Sequence, residues 1–238
     1  MQISKQCVDL IDCMGSDLTI TNSARVSFNK ESVWEIDTEK DEDVLSDKDA
    51  RLIKYLAQHN HWSPFAHTCI QLRVKAPIFV ARQLVKHQIG LVWNEVSRRY
   101  VDSEPEFYFP KVWRGRPEGS IKQGSAGVVE RVRFHDNSGN GVEYSVDGTV
   151  RRFIAQSLSM YQDLIDGGVA PELARIVLPV NVMTEWYWTG SLMAFCRVCR
   201  ERLAPGAQAE TREVAEMIAE IVAPLFPVGW AALMGEKA

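Results

Sequence analysis

Between residues 68 and 75 the chain alternates: Thr68, Ile70, Leu72 and Val74 on one side, Cys69, Gln71, Arg73 and Lys75 on the other. Successive side chains of an extended backbone point to opposite faces, so this run is a strand with one apolar face. That face has to be covered by other elements. Elsewhere helical and strand patterns are interspersed without regular βαβ alternation. The chain is therefore predicted as a single α+β domain over 1–238, with a mostly antiparallel central sheet flanked by helices. At 238 residues it can bury a sizeable core without disulfides or a structural metal.

Other elements are predicted around that strand. Cys7 to Asp12 reads as a short first strand, with a turn at Met14-Gly15-Ser16-Asp17. Ser46-x-x-Asp49 resembles a capping box and opens a helix carrying Leu52, Ile53 and Leu56. Pro77 fits the first position of a helix that runs through Phe79, Val80 and Leu84 toward His87. Residues 111–150 are rich in glycine. Val128, Val132 and Phe134, then Val142, Tyr144 and Val146, alternate with polar residues around the turn signal Asp136-Asn137-Ser138-Gly139-Asn140-Gly141. An inserted, exposed hairpin is expected there. A helix follows from Phe153 to Leu164 and stops at Gly167-Gly168. A short helix spans Pro171 to Leu178, a strand Val180 to Trp188, and two further helices about 191–202 and 207–223.

Charge and cysteine usage narrow the function classes. With 27 Lys+Arg against 31 Asp+Glu the net charge is −4, which speaks against a protein that coats nucleic acid. The basic residues of the insertion (Arg114, Arg116, Lys122, Arg131, Arg133) make only a weak case for RNA. No apolar run reaches membrane-span length and Met1 to Lys5 carry no apolar signal segment, so a cytoplasmic location is expected. Five scattered cysteines suit reduced thiols, and Cys196-x-x-Cys199 reads as two small core residues one helical turn apart. His59, His61 and His67 lack interleaved Asp, Glu or Cys, and the Ser63-Pro64 break prevents a helical ligand pair, so no metal site is expected.

The densest polar cluster is Arg82-Gln83-x-x-Lys86-His87-Gln88, followed by Asn94-Glu95-x-Ser97-Arg98-Arg99-Tyr100. On a continuing helix Gln83, Lys86 and His87 would share a face. Ser97 and Arg99 supply the hydroxyl, backbone donors and forked cation that a phosphate monoester needs. A solvated charged face is the bland alternative. Arg175 and Arg202 stand among aliphatic neighbours, where a guanidinium must be paired or must snorkel. Gly-x-Ser-x-Gly, Walker-type and Gly-x-Gly-x-x-Gly motifs do not occur.

Taken together, ordered blocks along most of the chain resemble the flavin-dependent thymidylate synthases. They are Ala24-Arg25-Val26-Ser27-Phe28, His61-x-Ser63-Pro64-Phe65-x-His67, Lys75 to Gln83, Asn94-Glu95-x-Ser97-x-Arg99-Tyr100, Glu106-Phe107-Tyr108-x-Pro110, Ala174 to Pro179, and Arg202-Leu203-x-Pro205-x-Ala207-Gln208. The stretch 111–150 is not covered. The resemblance implies reductive methylation of dUMP at C5, with a methylene from methylenetetrahydrofolate and reducing equivalents from NADPH through FAD. It implies Arg202 as the catalytic residue and Gln83, Lys86, Glu95, Ser97, Arg98, Arg99 and Arg175 as further dUMP contacts. His61, Ser63, Lys86, His87, Gln88, Glu95, Ser191 and Arg197 match FAD-contacting positions. It also implies a homotetramer with active sites shared between subunits, and no cysteine nucleophile.

The chain departs from the family pattern at several points. The family's Arg-His-Arg reads Lys86-His87-Gln88 here, which loses one charge and the forked geometry of two guanidiniums. One extra residue lies between Gln88 and Ser97. Gly206 stands where a histidine is expected, Ala66 where an acid is frequent, and Met193 where an arginine is expected. Most of these departures fall on the flavin side, so other readings stay open: a flavoprotein acting on another pyrimidine nucleotide, or a non-catalytic nucleotide-binding paralogue.

Overall fold

The computed structural model describes residues 1–39, 41–101, 103–118, 124–135 and 139–235. In chain order the strands are β1 (Gln2–Ile3), β2 (Cys7–Met14), β3 (Glu35–Asp37), β4 (Glu42–Val44), β5 (Cys69–Pro77), β6 (Leu91–Glu95), β7 (Glu106–Phe107), β8 (Arg114–Gly115), β9 (Ala126–Val128), β10 (Arg131–His135), β11 (Gly141–Ser145) and β12 (Met183–Gly190). The helices are α1 (Asp17–Arg25), α2 (Asp47–Gln58), α3 (Ile78–Leu84), α4 (Val146–Asp166), α5 (Pro171–Ala174), α6 (Leu192–Arg202), α7 (Ala209–Leu225) and α8 (Pro227–Met234). Among the described residues no helix is long and apolar enough to cross a membrane.

The alternating run is the heart of the fold. Strand β5 lies inside a four-stranded antiparallel sheet of order β2-β5-β12-β6, paired with β12 from Met183↔Pro77 to Gly190↔Ile70. Its apolar side chains Ile70, Leu72, Val74 and Ala76 are completely buried, together with Trp186 and Trp188 of β12. Helices α2, α6, α7 and α8 contribute Ile53, Phe195, Ile218 and Trp230 to the same cluster. On the opposite face Arg73 pairs with Glu185, Lys75 with Glu106, and Gln71 donates to Thr189 at 3.2 Å. The α+β expectation and the antiparallel sheet hold. The short pair β1–β7 is parallel.

Several boundaries differ from the sequence reading, each for a local reason. Strand β2 extends to Met14, with a register shift between Leu10 and Asp12 that leaves Ile11 unpaired. Pro77 ends β5 and caps α3 instead of standing inside it. The first free N–H groups of α3, on Ile78 and Phe79, donate to the carbonyls of Val182 and Val180 at 3.0 and 3.1 Å. Those carbonyls belong to a turn closed by Val182 N–H on Pro179, which is why β12 begins at Met183 and not at Val180. Helix α3 stops at Leu84, so Lys86 and His87 lie beyond its end and do not share a helical face with Gln83.

The insertion contains the expected hairpin, β10 with β11, and a second small pair, β8 with β9. The turn residues Asp136, Asn137 and Ser138, and Lys122 among the basic residues, lie outside the described residues. Val146 is helical and not the last strand residue. Ser145 caps α4 by accepting the Gly148 N–H, and Val150, Ile154, Leu158 and Tyr161 then recur at helical spacing. Arg114 pairs with the buried Glu210, so this cation serves the fold. Cys196 and Cys199 are buried free thiols, as their spacing implied.

Helix α8 was not anticipated. It is apolar on all sides and so gives no amphipathic signal, as befits a helix packed into the core. Its N-terminus is held by Asp17, which is only 2% exposed and accepts the Val228 and Gly229 N–H groups at 2.8 Å each. Asp17→Ala is expected to destabilise the protein by about 3 kcal/mol, because two buried donors lose a charged acceptor. A denaturant midpoint that stays put would show that α8 does not depend on this cap.

Candidate active site

The predicted site residues gather in two clefts. The first, of about 430 Å³, is lined by Lys86, His87, Gln88 and Leu91 on one side and by Ala194, Arg197, Val198, Glu201 and Arg202 of α6 on the other. Helical spacing places Arg197 and Glu201, and likewise Val198 and Arg202, one above the other on the same face of α6. Arg202 closes the last turn, where a cation faces the negative end of the helix. Its Nε donates to His87 Nε2 at 2.9 Å, and its Nη2 lies 3.5 Å from Glu201. The backbone of His87 is held in turn by its amide N–H, which donates to the Leu84 carbonyl at 3.0 Å. Burial, and then the adjacent Arg202, pull the His87 imidazole below its ordinary pKa against an opposite pull from Glu201.

The second cleft, of about 320 Å³, is lined by Lys75, Glu95, Arg98, Glu106, Arg175 and Thr184 among others. Glu95 is fixed at both oxygens: Thr184 donates to one at 2.7 Å, Trp93 Nε1 to the other at 3.1 Å. Arg98 donates to the Ser103 carbonyl at 2.9 Å and Arg175 to the Glu172 carbonyl at 3.1 Å. The Lys75 ammonium, 2.8 Å away, is the main cause holding Glu106 below the usual carboxylate range. Leu91 lines the first cleft and Glu95 the second, so the two lie toward opposite ends of strand β6, whose backbone spans about 13 Å from Leu91 to Glu95 at 3.3 Å per residue.

The remaining predicted residues are placed as follows. His61 lines a smaller cleft of about 170 Å³ with Arg197 and Arg200; Arg197 also lines the first cleft and so joins the two. Ser63 is exposed and opens a 3₁₀ turn that ends at His67 and buries Pro64 and Phe65. Ser191 caps α6, its hydroxyl accepting the Ala194 N–H. Ser97 and Arg99 line neither of the first two clefts; Arg99 Nε donates to the Ser97 hydroxyl at 3.0 Å, and the guanidinium sits 5.0 Å from the Tyr100 ring centre. Gln83 accepts a 2.6 Å hydrogen bond from Thr211 of α7, which leaves its amide nitrogen as the group it can offer a ligand. Within one chain, then, Glu95, Arg98 and Arg175 come together, and so do Lys86, His87, Gln88, Arg197 and Arg202. The two sets stay apart.

Thr184, Trp93 and Thr211 orient predicted site residues but were not singled out from sequence. Thr184 and Thr211 sit in strand and helix runs where a threonine carries no chemical signal, and their partners are 89 and 128 residues away.

The family described as thymidylate synthase complementing protein matches residues 9–228. The chain belongs to the flavin-dependent thymidylate synthase family. It is 37% identical over 230 residues to the flavin-dependent thymidylate synthase of Thermus thermophilus, covering 97% of this chain and 76% of the relative. It is 37% identical over 219 residues to that of Thermotoga neapolitana, covering 92% of this chain and 86% of the relative. Among solved structures, the UMP/dUMP methylase PolB from Streptomyces cacaoi bound with 5-Br dUMP superposes with a TM-score of 0.76 at 30% identity, over 98% of this chain and 97% of that one. The same methylase bound with 5-Br UMP gives a TM-score of 0.75 at 29% identity, over 99% and 96%. As a flavin-dependent thymidylate synthase family member the chain is a methyltransferase, as the ordered motifs implied.

The donor set of the first cleft fits a flavin nucleotide. Lys86 and Arg197 line it as cations suited to a diphosphate, and the joined His61 cleft adds a further arginine and an imidazole. Gln88 adds a neutral amide to the same cleft.

Proposed function

We propose that the protein carries out the FAD-dependent reductive methylation of dUMP to dTMP, using methylenetetrahydrofolate and NADPH. The observation that carries this reading is Arg202, a guanidinium fixed by His87 in a cation-lined cleft. Uracil C5 is a poor nucleophile unless negative charge can develop along the N3/O2/O4 edge. A pre-oriented guanidinium stabilises that charge without reorganising when it forms. Glu95, Arg98, Arg175 and Gln83 would orient the nucleotide, with Ser97 and Arg99 toward its phosphate. Lys86, His87, Gln88, Arg197, His61, Ser63 and Ser191 would hold the cofactor. FAD, when bound, supplies the hydride chemistry, so no thiol nucleophile is required. In keeping with that, no cysteine is among the described residues lining either of these clefts, and burial pushes the Cys199 thiol up to about 12.

Because Arg175 and Arg202 line separate clefts on one chain, this reading needs another copy to bring one cleft to the other. A homotetramer with shared sites meets that need. The ligands named for PolB favour a second reading in which UMP is also accepted.

The test is direct. The purified protein is expected to show a flavin absorbance band and to oxidise NADPH faster when dUMP and methylenetetrahydrofolate are present, yielding a 5-methylated nucleotide by mass spectrometry. Parallel reactions with UMP and dCMP define the substrate. A protein that stays colourless with added FAD and shows no nucleotide-stimulated oxidation would instead be a binding paralogue.

A further inference from the structure

The Arg202–His87 contact carries an inference beyond cofactor binding. A guanidinium nitrogen is always a donor, so His87 Nε2 must present its lone pair and the ring proton must sit on Nδ1. The bond uses the Nε of Arg202, while its Nη2 lies 3.5 Å from the exposed Glu201, a contact that the edge of a bound base can replace. We infer that His87 is a positioning residue for Arg202: its neutral imidazole locks the guanidinium in the orientation that meets the uracil edge, and protonating it releases that lock.

The surroundings support a two-state contact. The charged groups nearest His87 are Arg202 at 2.9 Å and Glu201 at 4.0 Å, and Arg197 of α6 and Lys86 line the same cleft. The closer of the first two is a cation, and the acid partner among the described residues, Glu201, is 62% exposed, so an imidazolium would be poorly accommodated. A protonated His87 has no acceptor for Arg202 and repels it. The contact is intact through the ordinary histidine range and is lost on acidification below it.

The role given to Arg202 rests on the methylation reading, whereas the hydrogen bond does not, and the experiment separates the two. In the full chain labelled with ¹⁵N, the His87 ring nitrogens are expected to report the Nδ1–H tautomer at pH 7.5, with a titration midpoint that rises in Arg202→Met. An Nε2–H tautomer, or a midpoint indifferent to Arg202, overturns the pairing whatever the substrate proves to be. In turnover at saturating FAD, His87→Ala is expected to lower kcat about tenfold with less than a threefold change in KM for dUMP. His87→Gln keeps an acceptor oxygen but cannot titrate. It is expected to recover part of the lost kcat, and the wild-type to His87→Gln ratio to fall on acidification, a comparison in which the ionisation of dUMP itself cancels. Equal losses in the two variants, with a pH-independent ratio, would mean that His87 serves the cofactor alone. The expected tautomer together with no dUMP turnover would sink the methylation reading and leave the pairing standing.

Discussion

Arg202→Ala is expected to lower turnover about a thousandfold, below detection in a steady-state assay, while dUMP binding weakens only a few-fold. The asymmetry follows from when the guanidinium does its work. In the ground state the uracil edge carries only partial charge, and the phosphate and ribose are gripped by other residues. As C5 attacks, charge accumulates on the ring edge and the interaction with a fixed cation grows. Removing it therefore costs far more in kcat than in affinity. The substitution should be tolerated by the fold, because Arg202 stands in the last turn of α6 and its side chain is 20% exposed. Single-turnover methyl transfer and nucleotide binding, measured on the same preparation, check both halves. Unchanged turnover would mean that another cation faces the base.

The second large effect is a gain. Arg202→Ala and Arg175→Ala are each expected to be nearly inactive at limiting dUMP, yet the two co-expressed should regain activity up to about one quarter of wild type, the statistical share of sites that receive both intact arginines from different subunits. The reason is geometric. On one chain the two side chains line clefts at opposite ends of β6 and not a common one. If a site is assembled from the Arg202 cleft of one subunit and the Arg175 cleft of another, a mixed oligomer contains some complete sites. No recovery in a verified mixed oligomer would show that every site is built within a single chain, and the shared-site arrangement would be abandoned.

Much of the central architecture was legible because it rests on periodicity. The alternation at Ile70, Leu72 and Val74 encodes a burial pattern directly, and Ser46 with Asp49 marks the start of α2 through a local hydrogen bond. Where local signals competed, tertiary contacts decided. The extended run from Val180 starts outside the sheet because its carbonyls are taken by α3, and α3 ends before His87. Apolar α8 has no polar face to reveal it, and Asp17, 211 residues from Val228, specifies its start.

For the site, the order and chemistry of the residues were set by the sequence itself: motifs in contiguous blocks name the cations, amides and carboxylates, and family membership follows from them. What only the three-dimensional structure decided is the company those groups keep. It separates Arg175 from Arg202, couples Arg202 to His87, and ties Glu95 to Thr184 and Gln83 to Thr211. Each of those pairings spans a long stretch of chain, and a residue's identity says which bonds it can make but not which distant partner the packed sheet and helices will bring within 3 Å of it.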